Sequence, residues 1–279
     1  MAEDVIVIGG GIVGLAIAWR CAQAGRAVTL FDMGPVGRQA SWDSAGMLAP
    51  RFEADFAHVP MLRLSVASQA MWPDFASEVE ASSGVGVGYD RAGTLFVAVN
   101  RDDNDEVSRW AAFAAAHALP VERWSRDQCL DEEPTLSPRV LGALHCPLDH
   151  QVDNRLLTTA LIAACERAGV SVVTGCRVDA VSVEAGEVAG VVVEGGRAVR
   201  ARHVVVAAGA WSSRIGGLGA DAPRIRPVKG QALAVVATPP DRLPRRVIRG
   251  TRVYVAPKRD RMIVGATSEE RGYDRTVTA

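Results

Sequence analysis

The stretch Asp4–Ala18, DVIVIGGGIVGLAIA, decides how the chain is read. Val5 to Ile8 is a short apolar run bounded by glycines, and Ile12 to Ala24 carries apolar residues at helical spacing until Gly25 stops it. Gly9, Gly11 and Gly14 stand between them in GxGxxG spacing. Gly9 permits a tight turn, Gly11 lets the backbone approach a pyrophosphate, and Gly14 lets the helix pack on the sheet. The helix N-terminus near Ile12 adds unpaired N–H groups and the positive end of a dipole, worth roughly 0.3 to 1 kcal/mol per anionic group. Ala27 to Phe31 reads as a second strand, so a βαβ unit with parallel strands and a right-handed crossover opens the chain.

A lone GxGxxG is a weak pattern, and its context strengthens it. Asp32 ends the second strand 18 residues after Gly14, where a carboxylate can accept both ribose hydroxyls of an adenosine. A solvated strand end is the plainer reading of Asp32. The turn leaves NAD and FAD equally open.

Outward from this unit, 279 residues with 48% apolar content allow two domains and a sizeable core. A net charge of -1 gives no field that would draw in nucleic acid or an anionic membrane, and a small zwitterionic partner fits better. The five cysteines show no CxxC spacing and read as reduced, buried thiols of a cytoplasmic protein. No basic leader precedes Val5, and Arg20 and Gln23 interrupt the early apolar stretch, so neither targeting peptide nor membrane span is expected. The five histidines are scattered without ligand spacing, and no metal is expected.

Gly34 to Pro50 is loop text, and Met61 to Val79 is helical with a break expected at Pro73. Gly93 to Val99 reads as a strand, Asp105 to Ala118 and Arg155 to Ala168 as helices. Val170 to Val173, Arg177 to Val183, Val188 to Val193 and His203 to Ala207 suggest a small antiparallel meander on the first sheet. Beyond Arg224 strands dominate: Pro227 to Val236, Val247 to Arg249, and a hairpin of Val253 to Ala256 with Met262 to Ala266. The fold class is α/β: a GxGxxG Rossmann-like domain with a second α+β substrate domain built on a mixed sheet. The expected division is 1–85 with 140–220 for the cofactor domain, and 86–139 with 221–279 for the substrate domain.

Further motifs separate the two cofactors. GRQASWDSAGMLAP (Gly37–Pro50), HVVVAAGAWS (His203–Ser212), PVKGQ (Pro227–Gln231), YVAPK (Tyr254–Lys258) and VGAT (Val264–Thr267) occur in an order that resembles the glycine oxidase branch of the FAD-dependent D-amino acid oxidase superfamily. The resemblance spans the whole chain and implies FAD. It implies that Ile12 and Val13 meet the pyrophosphate, Asp32 and Met33 the adenosine, Ala40 and Ser41 the phosphates, and Ala45, Gly46 and Met47 the flavin ring region. Val178 would hold the adenine through its backbone, and Gly209 would sit in a second glycine turn beside the cofactor. Small residues such as Ala45 and Gly46 would let backbone N–H groups approach a planar ring. Tyr254 is the catalytic-pocket candidate, its hydroxyl offered to a substrate carboxylate; a half-buried strand tyrosine is otherwise core packing. Ser268 departs from the family pattern, which has methionine beside the flavin.

The resemblance implies oxidation of glycine or another small amino acid to the imino acid, with dioxygen reoxidising the flavin to give hydrogen peroxide, in thiazole formation for thiamine. Sarcosine or D-amino acid oxidase or dehydrogenase activity and an inactive FAD-binding fragment are the alternatives. It also suggests a homo-oligomer, a tetramer. A carboxylate substrate calls for an arginine. The family's "GLRP"-like and "RNG"-like arginine motifs do not occur before Ala279, so the chain is expected to lack the family's last segment, to bind FAD weakly and to turn over poorly. Arg249 and Arg252 are local alternatives, while Arg242, Arg245, Arg246, Arg249, Arg252, Arg259 and Arg261 together read as a solvated face of hairpin strands.

Overall fold

The computed structural model describes residues 3–222, 224–236 and 243–278. Arg242 lies outside the described residues. In chain order the elements begin with β1 (Glu3–Ile8), α1 (Ile12–Gln23), β2 (Val28–Phe31), α2 (Ala40–Asp43), β3 (Met47–Leu48), α3 (Val59–Ala70) and α4 (Trp72–Ser83). They continue with β4 (Thr94–Ala98), α5 (Arg101–Ala116), β5 (Glu122–Ser125), α6 (Arg126–Glu132), β6 (Gly142–Cys146), β7 (His150–Gln151) and α7 (Asn154–Arg167). The remaining strands are β8 (Ser171–Val173), β9 (Val178–Glu184), β10 (Glu187–Val193), β11 (Arg197–Val206), β12 (Leu233–Val236), β13 (Val247–Arg249), β14 (Tyr254–Pro257) and β15 (Arg261–Gly265).

The first sheet has the order β8-β2-β1-β11-β10-β9. β1 pairs in parallel with β2 and with β11, as the βαβ reading requires. Both faces of β1 are covered, which is why Val5 to Ile8 is continuously apolar rather than alternating. Val5 and Val7 pack on one side with Leu15, Ala18 and Trp19 of α1 and with Leu157, Leu161 and Cys165 of α7. Ile6 and Ile8 pack on the other side with Val178, Val181, Val191 and Val193 of the β9-β10-β11 meander.

The second sheet runs β12-β15-β14-β13-β4-β6-β5 and mixes parallel and antiparallel pairs. β6 belongs to it, although the boundary at 140 would assign Gly142–Cys146 to the cofactor side. The strand expected from Pro227 is shorter, beginning only at Leu233. The expected break at Pro73 is present: α3 ends at Ala70 and Pro73 sits in the first turn of α4, where its missing N–H costs no helical bond.

The arginines near the hairpin are not one solvated face. Side-chain exposure is 16% for Arg246, 26% for Arg249 and 13% for Arg261, and each has an acidic partner: Arg246 pairs Glu132 at 3.2 Å, Arg261 pairs Asp153 at 3.0 Å, and Arg249 pairs Glu53. Aromatic neighbours, Trp124 for Arg246 and Phe96 with Trp110 for Arg249, keep two of these side chains down, and the acids neutralise all three.

Lys258, in the β14-β15 turn, is buried and donates to Gln151 Oε1 at 2.7 Å and to the Val152 carbonyl at 2.9 Å. Burial lowers its pKa from 10.5 to about 8. The unfolded chain therefore holds this proton over a window in which the folded chain has released it, and the folded state is relieved of a penalty as pH rises through 8 toward 10.5. Wild-type unfolding free energy should rise relative to Lys258→Met across that window, by at most about 3 kcal/mol. The Cys146 and Cys165 thiols, pushed up to about 12 by burial, act in the opposite sense in both proteins and cancel in the difference. A pH-independent difference in urea titrations would refute the buried ammonium.

Candidate cofactor and substrate site

A cleft of about 560 Å3 opens where the C-terminal ends of β1 and β2 meet the turn after β11. Its floor is the glycine turn. Gly9 has φ +106°, and a Cβ there would stand 2.4 Å from the Ala207 carbonyl oxygen. A Cβ on Gly14 would stand 1.9 Å from the Gly9 oxygen, so α1 can approach the turn only because Gly14 has none. Around Gly11 the nearest contact is Ser41 Oγ at 3.3 Å, which leaves its backbone open to the cleft.

Asp32 does more than end a strand. Its Oδ2 accepts from Gly10 N at 2.7 Å and its Oδ1 from Gly34 N at 2.8 Å, so the carboxylate staples the glycine turn to the loop after β2. A carboxylate offers about four lone-pair sites, and two remain for hydroxyls. Met33, 41% exposed, follows it on the cleft wall. Ile12 and the 60% exposed Val13 form the opposite rim.

Ala40 and Ser41, on the short α2, close the cleft from above. Ser41 Oγ accepts from Ile12 N at 2.9 Å, and Asn154 Nδ2 donates to the carbonyls of Ser41 at 3.0 Å and Trp42 at 2.7 Å. Asn154 thus ties α2 to the start of α7, a link no spacing rule in the sequence reveals. Val178, buried at the start of β9, and Gly209, at φ +52° with open space beside it, complete the wall.

The structure brings these together: Gly9, Gly11, Ile12, Val13, Asp32, Met33, Ala40, Ser41, Val178 and Gly209 line one cleft, with Gly14 directly beneath. Ala45, Gly46 and Met47 do not line this cleft and lie toward the second sheet, Ala45 and Met47 in one group with Tyr254. Gly46 has φ +70°, its missing Cβ would meet the Val152 oxygen at 2.1 Å, and its own oxygen accepts from Val152 N at 2.8 Å. Its smallness is required by this chain crossing. Ala45 is buried with Val247, Ala256 and Ile263, and Met47 and Tyr254 pack against that group.

A second cleft of about 520 Å3 continues from the first, sharing Gln39, Ala40, Ala210 and Trp211 with it. Its far side is Gln231 to Ala234 and Ile263 of the second sheet. On the same face of that sheet Tyr254 lies over Gly265, whose added Cβ would fall 2.2 Å from the tyrosine hydroxyl oxygen. Burial, and secondarily Glu53, raises the Tyr254 pKa, so the phenol is a neutral donor near pH 7. Arg252 and Ser268 are exposed.

The DAO family, described as FAD dependent oxidoreductase, matches residues 4–279. The chain belongs to this family. Glycine oxidase of Geobacillus kaustophilus (strain HTA426) is 32% identical over 279 residues, covering 99% of this chain and 73% of that protein. The bifunctional protein ThiO/ThiG of Trichormus variabilis (strain ATCC 29413 / PCC 7937) is 32% identical over 288 residues, covering 98% of this chain and 41% of that one. The crystal structure of glycine oxidase from Geobacillus kaustophilus superposes with a TM-score of 0.90 at 30% identity, over 100% of this chain and 74% of that chain. The DAO family is FAD-dependent, and the cleft suits such a group: Gly11 and Gly209 leave backbone exposed where a Cβ would intrude, and Asp32 keeps two acceptor positions. Among the described residues no helix is long and apolar enough to cross a membrane, and all five cysteines are free.

Proposed function

We propose that the chain oxidises glycine or another small amino acid to its imino acid with FAD, in the thiazole branch of thiamine formation. The observation that carries this reading is the joining of the two clefts at Gln39, Ala40, Ala210 and Trp211, so that a dinucleotide lying on the glycine turn extends toward the face that bears Tyr254. Asp32 would hold the ribose, the N–H groups around Gly11 and Ile12 the pyrophosphate, and Val178 the adenine end, with Ser41 and Ala40 above. Bound FAD supplies a two-electron acceptor for the amine and returns the electrons to dioxygen as hydrogen peroxide. Tyr254 donates its hydroxyl to the substrate carboxylate, and the apolar group around Ala45 and Ile263 keeps water from that side of the chamber.

This reading gives the first sheet to a cofactor domain and the second, now including β6, to a substrate domain. A cytoplasmic location and a homotetramer accompany it. Its test is direct: protein loaded with excess FAD should consume oxygen with glycine ahead of sarcosine, D-alanine and D-proline. Asp32→Ala should weaken FAD by about 1.5 to 3 kcal/mol, through both the lost ribose contact and the loosened turn. An unchanged dissociation constant in flavin-quenching titrations would remove Asp32 from the site.

A further inference from the structure

Lys258 is a buried cation that lines neither cleft. Its two acceptors, Gln151 Oε1 and the Val152 carbonyl, are both neutral. The carboxylates nearby are engaged elsewhere: Asp153 pairs with Arg261 at 3.0 Å, and Asp90 Oδ2 accepts from Gln151 Nε2 at 2.9 Å, which turns Oε1 toward the lysine. An ammonium buried against neutral oxygens adds little to the fold, because much of its desolvation cost stays uncompensated. Such a group is better explained by what it holds.

What Lys258 holds is the strap of residues 151–154, which runs from β7 into α7. Val152, gripped at its carbonyl, donates its N–H to the Gly46 carbonyl at 2.8 Å. Asp153 caps α7, its Oδ1 accepting from Arg155 N at 3.0 Å and Leu156 N at 3.2 Å. Asn154 follows directly and donates to the Ser41 and Trp42 carbonyls of α2. Ser41 lines the first cleft and accepts from Ile12 N of the glycine turn, and Trp42 lines the second cleft. A path of direct contacts thus runs from the β14-β15 turn to the short helix that closes the cofactor cleft.

We propose that Lys258 is a positioning residue for the cofactor cleft: it holds the 151–154 strap from the second sheet, and the strap holds α2 over the dinucleotide through Asn154. The inference rests on the functional reading above and adds to it a residue that acts on FAD affinity without touching FAD.

The test titrates the protein with FAD by flavin-fluorescence quenching, beside urea unfolding. Lys258→Met, which keeps the apolar stem, should weaken FAD at least about tenfold, and Lys258→Arg, which keeps charge and donors, should recover part of that loss. Asn154→Ala should weaken FAD by a similar factor. The double variant of Lys258→Met with Asn154→Ala should lose little more than the larger single effect, because the two lie on one path. A merely structural lysine predicts a changed urea midpoint with unaltered FAD affinity, and that result would overturn the proposal, as would losses that multiply in the double variant. Wild-type protein supplies a second arm. Burial lowers the Lys258 pKa to about 8, with Asp153 and Asp90 favouring the charge and Arg261 opposing it. The ammonium grips the strap below that pH and the neutral amine grips it less firmly above, so FAD affinity should fall about threefold or more from about pH 7 to pH 9. If Lys258→Met fails to fold, this titration decides alone, and an affinity that does not fall would overturn the proposal. Wild-type protein with no measurable FAD affinity would defeat the functional reading and this inference together; wild-type FAD binding that Lys258→Met leaves unaltered would defeat this inference only.

Discussion

Gly14→Ala is expected to abolish useful FAD affinity, by a factor of at least about 100, or about 2.7 kcal/mol. The new Cβ would stand 1.9 Å from the Gly9 carbonyl oxygen, which is backbone and cannot rotate away. Gly9 is itself trapped: its N–H donates to the Phe31 carbonyl at 2.7 Å, and Ala207 closes over it with an N–H to the Ile8 carbonyl at 2.8 Å. The helix must therefore retreat, carrying its exposed N–H groups away from the pyrophosphate, with an overpacking cost to the fold of about 1 to 3 kcal/mol. Gly11→Ala is the informative contrast. Its Cβ meets nothing closer than Ser41 Oγ at 3.3 Å, so the protein should keep its urea midpoint while losing FAD affinity, because that Cβ occupies cofactor space. Flavin-fluorescence titration beside urea unfolding separates the two. Gly14→Ala with wild-type affinity would show that the helix does not depend on this contact.

The second large effect is structural. Asp149→Ala should cost about 3 to 5 kcal/mol of stability, the range for breaking a buried pair from one side. Asp149 is fully buried and accepts from Arg51 Nη1 at 3.1 Å, Arg51 N at 3.3 Å and Phe52 N at 2.9 Å, so its loss strands a guanidinium and two backbone donors. The 49–53 turn that carries Glu53 would loosen with it. The double variant Arg51→Met with Asp149→Leu should recover most of the loss, since apolar replacement of both partners removes the unpaired charge. A single-variant loss below about 1 kcal/mol in urea titration would mean that water reaches the pair.

The glycine turn, both of its strands, α1 and the place of Asp32 at the strand end were legible because local spacing and local chemistry determine them. So was the break at Pro73, where one residue's missing N–H suffices. The meander of β9, β10 and β11 was legible from β-branched runs between glycines, but Val170 to Val173, read as part of it, forms β8 at the opposite edge, parallel to β2, and β11 extends further back, to Arg197, than its apolar residues suggested. What was hidden depends on contacts between distant segments. Nothing near Asn154 in sequence announces that it holds Ser41 and Trp42, and nothing near Glu53 announces Arg249, 196 positions on. The same limit hid the contact of Gly46 with Val152, and took the arginines for a solvated face when Glu53, Asp153 and Glu133 neutralise them from other elements.

The pairing of β1 with β11 joins Glu3 to Ala201, residues almost 200 positions apart, and the close packing of Gly9 against Ala207 follows from it. Closing so long a loop makes the central sheet a late event in folding. During synthesis the glycine turn stays half-built until residue 207 has left the ribosome, so a nascent chain should be unable to recruit its nucleotide early, and flavin uptake would time the completion of folding.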